Sequence, residues 1–192
     1  MSAIEQNREI TLTRVFNAPA SVLFEAYSKP EHIKRWFGPV GYPVTTAKID
    51  FRVGGSFWFQ LTGPTGELNT PFGGTYLEIV PDRLIRYDNG FLEPPGGERM
   101  IVTITFDELG DGQTALIMHT VFESRGMYVG HVGGGFEAGT QSGFDQLADG
   151  RWQVGEVFDP GDFVPLVVDQ RQTFLRGGDG EGAHRGHQVG LA

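Results

Sequence analysis

The sequence predicts an α+β domain in which a curved antiparallel sheet wraps around one long C-terminal helix, with two short helices after the first strand. Three observations carry this reading. Between about Val44 and Phe122 six strand-like segments follow one another with no helical pattern between them, which requires antiparallel neighbours. Two short stretches at helical spacing, ended or bounded by prolines, interrupt the chain after its first strand. A single long segment, ending near Gly150, keeps apolar residues on one face for about four helical turns.

Taken in order, "EITLTRVFNAP" alternates Ile10, Leu12, Arg14 and Phe16 against Thr11, Thr13 and Val15, so it reads as a strand that ends at Asn17 to Pro19. "ASVLFEAYSKP" places Val22, Leu23, Ala26 and Tyr27 at helical spacing, and Pro30 stops it. "PEHIKRWFGP" puts Ile33, Trp36 and Phe37 on one face of a short helix, with His32, Lys34 and Arg35 expected to face water. This stretch is expected to roof a cleft. "VTTAKIDFRVGGSFWFQLTGPTGE" gives two strands meeting at Gly54 and Gly55, and "FGGTYLEIVPDRLIRYDNGF" two more broken at Pro81 and Asp82. "RMIVTITFDELGDGQTALIMHTVF" is a hairpin turning through Gly110 to Gly112, with Val102, Ile104 and Phe106 on one face and Leu116, Met118 and Phe122 on its partner. A loop is expected after Phe122. The final helix then carries Phe136, Thr140, Phe144 and Leu147 on one face, weakened by Gly139 and Gly143.

The chain has 192 residues, enough for one domain and an appendage: a domain over residues 1–150 and a divergent, partly disordered tail over 151–192. In the tail, a strand or short helix is expected near Phe163 to Leu175, and the glycine-rich stretch beyond is expected to be disordered. Lys and Arg total 15 against 24 Asp and Glu, a net charge of -9 with no basic stripe, which argues against a nucleic-acid partner. The absence of cysteine removes disulfides, thiolate chemistry and Cys-based zinc sites, and fits a reducing, cytoplasmic compartment. "MSAIEQNREI" has no apolar leader core and no run reaches membrane-spanning length, so neither export nor a membrane partner is expected.

In series, "FNAPASVLFEAYSKPEHIKRWFGP", "DFRVGGSFWFQL", "FGGTYLEIVPDRLIRYD", "VTITFDELGDGQTALIMHTVF" and "GFEAGTQSGFDQLAD" resemble one family over roughly residues 8 to 149. It is the family similar to the C-terminal domain of the activator of the 90-kilodalton heat-shock protein ATPase, within the START-like (SRPBCC) ligand-cavity superfamily. The resemblance implies a helix-grip fold and a cleft between the sheet and the C-terminal helix. The chain departs from the family where Arg125 to Met127 enter "YVGHVGGG" and where "LADGRWQVGEV" breaks the last helix.

Aromatic residues make up 12% of the chain, 15 of them Phe, and supply the cleft-lining candidates. These are Trp36, Phe37, Phe57, Phe59, Tyr76 and Phe136, from a wider set that adds Phe24, Trp58, Phe72 and Phe91. The resulting expectation is a site for a small hydrophobic or amphipathic ligand with no bound cofactor. Two alternatives from other classes are a protein partner, as a module regulating a chaperone-like ATPase, and a cyclase- or hydrolase-like enzyme using the same cleft. No catalytic residue can be named. There is no G-x-S-x-G elbow, "GGGFEAG" lacks the Lys-Ser/Thr of a phosphate loop, and Asp50, Arg52, Glu78, Arg86 and His119 lie on strands where alternation places His119 outward. No metal is expected, because among His32, His119, His131, His184 and His187 only the last two are close in sequence.

Overall fold

Period-two alternation becomes seven strands in a single antiparallel sheet, in a computed structural model that describes residues 8–150. The expectations for the tail lie outside the described residues. The elements run β1 (Glu9–Phe16), α1 (Ala20–Ser28), α2 (Pro30–Trp36), β2 (Val44–Ile49), β3 (Ser56–Leu61), β4 (Phe72–Val80), β5 (Leu84–Phe91), β6 (Met100–Gly110), β7 (Gln113–Phe122), α3 (Arg125–Gly133) and α4 (Phe136–Ala148). The sheet order is β1-β7-β6-β5-β4-β3-β2, so the first strand pairs with the last. The α+β helix-grip fold is therefore the one adopted. The β6–β7 hairpin closes through Asp111 and Gly112, both at positive φ as a two-residue turn with this twist requires.

One face of the sheet is the core. Leu12 and Phe16 of β1 oppose Met118 and Thr114 of β7, and Val102, Ile104 and Phe106 of β6 continue the layer beside Thr120, Met118 and Leu116. Arg14 belongs to this inward set, as its place in the alternation implies. Its Nη2 pairs with Asp145 of α4 at 2.8 Å, which ties the helix to the sheet edge.

Two expectations need correction. The segment after Phe122 is a helix, α3, and not a loop. Ser124 caps it by accepting from the Met127 N–H at 3.0 Å, and Met127 is buried with Tyr128 set edge-on against Phe122. Its three internal and terminal glycines hid the helical period. His32, expected in water, is 5% exposed. The reason lies in Pro30. The carbonyl of Ala26 in the last turn of α1 would ordinarily accept from the N–H four residues on, and that residue is a proline. Helix α2 folds back and supplies the donors, Trp36 Nε1 to Ala26 O at 3.0 Å and His32 Nδ1 to Glu25 O at 3.2 Å. The buried face of α2 is thus His32, Ile33 and Trp36, while Phe37 leaves the helix in extended conformation and turns toward the sheet.

Helix α4 rests on the same segment. Gln146 Nε2 donates to Gly38 O at 2.7 Å, Val40 N–H donates to Ser142 Oγ at 3.0 Å, and Gly143 faces Trp36 O and Gly38. A methyl at Gly143 would meet its nearest atom at 3.7 Å, an ordinary contact. Gly143→Ala is therefore expected to stabilise the domain by up to about 1 kcal/mol through helix propensity. Urea unfolding checks this, and a loss of stability would mean that α4 sits closer to the 36–40 segment than the 3.7 Å spacing allows.

Candidate functional site

A cavity of about 20 Å³ lies between β3–β5 and the α1–α2 pair, lined by Tyr27, Ile33, Phe37, Phe57, Phe59, Phe72, Tyr76, Ile85, Tyr87 and Asn89. This volume is about that of a single water site. The sheet supplies the floor. Alternation on β5 points Ile85, Tyr87 and Asn89 inward while Arg86 stays exposed, and β3 does the same with Phe57 and Phe59. Helices α1 and α2 supply Tyr27 and Ile33 from above, and the turn at Phe37 brings that ring to 5.5 Å from Phe59 and 6.2 Å from Phe72. Phe57 is the hub, with ring centroids 5.1 Å from Phe59, 5.4 Å from Tyr76 and 5.2 Å from Tyr87.

Of the six candidates read from the sequence, Phe37, Phe57, Phe59 and Tyr76 are brought together here. Trp36 is not in the lining. It is 3% exposed, edge-on to Tyr27 at 4.8 Å, with its indole N–H used to cap α1. Phe136 lies in a second cluster under α4, 5.6 Å from Phe122 and 6.2 Å from His131. No lining residue comes from α4, so the cavity sits under the short helices and not beneath the C-terminal helix. The small residues Gly139, Ser142 and Gly143 let α4 settle on the 36–40 segment, and Phe144 fills the space against Phe16. Tyr27, Tyr87 and Asn89 were not among the candidates. The strict alternation of "LIRYDNGF" was the signal for the last two, since Ile85 fixes which face is inward.

The chemistry of the lining is neutral. Burial pushes the phenols of Tyr27, Tyr76 and Tyr87 well above their ordinary value, and the neighbouring Tyr87 raises the other two further. All three stay protonated throughout the physiological range and can donate or accept hydrogen bonds. Asn89 Oδ1 is buried and has no partner among the described residues; two other buried side-chain atoms share that condition, Arg14 Nε and Thr120 Oγ1. The sheet register places all three residues on the inward face. The charged residues weighed as acid-base candidates are elsewhere: Asp50 and Arg52 pair with each other in the β2–β3 turn, Glu78 and Arg86 are exposed, and His119 Nε2 meets Glu9 on the outer face at 3.1 Å.

Among solved structures, a protein from Chromobacterium violaceum is 30% identical, with 73% of this chain and 94% of that one covered and a TM-score of 0.57. A solution structure of a protein from Arthrobacter aurescens is 21% identical over 77% of this chain and 87% of that one, TM-score 0.68. The AHSA1 protein of Silicibacter pomeroyi is 21% identical over 74% and 96%, TM-score 0.61. No curated protein matches the sequence. The model of the family described as "Activator of Hsp90 ATPase homolog 1-like protein" matches residues 17–149, nearly the whole of the described fold, and the chain belongs to that family.

Proposed function

We propose that this domain binds a small apolar or amphipathic molecule in the aromatic cavity under α1 and α2. The observation that supports it most is the lining itself: six aromatic side chains of β3–β5 and Phe37, with Tyr27 and an unpartnered amide oxygen, enclose a space in which no carboxylate, histidine, lysine or arginine takes part. A core built only for stability has little use for three phenols and an orphaned amide around one small space. Because the space is only about 20 Å³, a ligand larger than a water requires the half-buried rings of the lining, Phe37, Phe72 and Tyr87, to part. The lining offers no convergent acid-base pair, which is why binding is favoured over catalysis.

A naphthalene dye titrated into the full chain tests this reading. Phe59→Trp, which fills the cavity, is expected to weaken the dye by at least about tenfold, whereas Phe136→Leu in the second cluster leaves affinity unchanged. The opposite pattern would move the site beneath α4 and end the proposal.

A second reading is a protein-interaction surface, in keeping with the family's name. Val40 is 73% and Leu68 65% exposed, on loops joined by the Thr62 N–H to Pro43 O bond at 3.0 Å, and Tyr42 on the first loop is exposed as well. If a chaperone ATPase docks there, Val40→Asp with Leu68→Asp abolishes any stimulation of its ATP hydrolysis and leaves dye binding intact. We further propose a domain boundary near Gly150, where the family match and α4 both end, and a cytoplasmic location consistent with the lack of cysteine. Among the described residues no helix is long and apolar enough to cross a membrane. A chain truncated after Gly150 is expected to keep one cooperative unfolding transition; its loss would make the tail part of the fold.

A further inference from the structure

We infer that the ligand class of this cavity is a small, uncharged aromatic molecule carrying a hydroxyl or N–H group, whose hydrogen is accepted by Asn89 Oδ1. This rests on the cavity being a ligand site, and three features of the lining narrow what it takes. The first is the acceptor. Asn89 sits on β5 opposite Met100 of β6, between the cross-strand tyrosine pair Tyr76–Tyr87 and the Phe72–Phe91 pair, and its Oδ1 is buried with no donor among the described residues. A buried amide oxygen left so costs roughly 1–3 kcal/mol, and a donor arriving with a ligand recovers it.

The second feature is charge. Every residue of the lining is apolar, a phenol or an amide, and the phenols are held protonated by burial. A carboxylate or ammonium entering the space would lose its hydration and meet no opposite charge. Arg14, the cation on the inward face of the sheet, is paired to Asp145 at the β1 edge and does not line the cavity. Anions and cations are therefore selected against.

The third is shape. Phe57, Phe59, Tyr76 and Tyr87 present edges and faces to one another at centroid distances of 5.1–6.2 Å in tilted or edge-on arrangements. A flat ring slid among them extends the same pattern, with dispersion contacts on both faces. A saturated chain does not.

Four probes of similar size decide the matter, followed in the full chain by amide NMR shifts: phenol, anisole, toluene and benzoate. Phenol is expected to shift the amides of β5 and to bind at least about tenfold tighter than anisole, which keeps the oxygen and loses the donor, and than toluene; benzoate should not bind. In Asn89→Leu the preference for phenol over toluene should disappear while toluene affinity changes by less than about threefold. The wild-type comparison of phenol with anisole decides the point even if that variant does not fold. Equal affinity for phenol, anisole and toluene would overturn the donor class and leave the cavity reading standing. Tight benzoate binding at β5 would overturn the exclusion of charge. No shift of the lining residues with any probe would overturn the cavity reading, and this inference with it.

Discussion

Gly74→Ala is expected to cost about 3 kcal/mol or more, a very large effect for a single methyl group. A Cβ at this position would lie 1.9 Å from Asp88 O and 2.2 Å from Asp88 Oδ1. Neither atom can retreat. The carbonyl is part of β5, and the carboxylate accepts from the Thr75 N–H at 2.6 Å and from Arg99 Nη2 at 2.9 Å. The same Arg99 nitrogen donates to Gly73 O at 2.8 Å, so a side chain from β5 and another from the residue before β6 tie down β4 in the stretch between its Gly73–Gly90 and Tyr76–Tyr87 pairs. Denaturant unfolding measures the cost, and a loss below about 1 kcal/mol would mean that β4 and β5 are further apart here than described. Asp88→Ala should also destabilise, by roughly 2–3 kcal/mol, because it strands the Thr75 N–H and one arm of the Arg99 guanidinium.

Trp36→Ala should lower stability by about 3–5 kcal/mol. The ring is buried against Tyr27 and Phe37, and its N–H is the donor that Pro30 withholds from Ala26 O. The folded fraction should bind an apolar dye as before, since the indole does not line the cavity. Trp36→Phe separates the two contributions. It keeps most of the packing and leaves the carbonyl unpaired, for a cost of about 1–3 kcal/mol. If dye affinity falls in Trp36→Phe without loss of stability, the indole borders the ligand and the cavity extends further under α2 than the present lining.

The strands were legible because each alternates cleanly and ends at glycine or proline; "VTITFDELGDGQTALIMHTVF" states its register almost completely, down to the Asp111–Gly112 turn. Phe57, Phe59 and Tyr76 could be chosen as lining residues for the same reason, and Phe37 from the apolar face of the short helical stretch before them. What failed were features that depend on two segments at once. His32 looked solvent-facing because a helical wheel contains no information about the unsatisfied carbonyls of the helix before it. Trp36 and Phe37 look alike as neighbours in sequence, yet the helix ends between them and sends one ring into packing and the other into the cavity. Helix α3 was hidden because glycine erases the period that apolar residues would otherwise display, and only burial of Met127 together with the Ser124 cap reveals it. The Asp88–Arg99–Gly73 network had no local signature at all.

The pairing of β1 with β7 governs how the chain must be made. The ladder runs from Glu9 opposite Val121 to Phe16 opposite Thr114, and Arg8 Nη1 reaches Glu123 O across 115 residues. As an edge strand β1 has no other partner in the sheet. On a ribosome it emerges about 100 residues before β7, a wait on the order of 5–20 s at about 5–20 residues/s. For that interval an apolar strand carrying Leu12 and Phe16 is exposed and available for pairing with other nascent chains. Strand β1 therefore stays unpaired until β7 has emerged, and the yield of the domain in a cell should depend on a holding chaperone that engages residues 9–16 during synthesis.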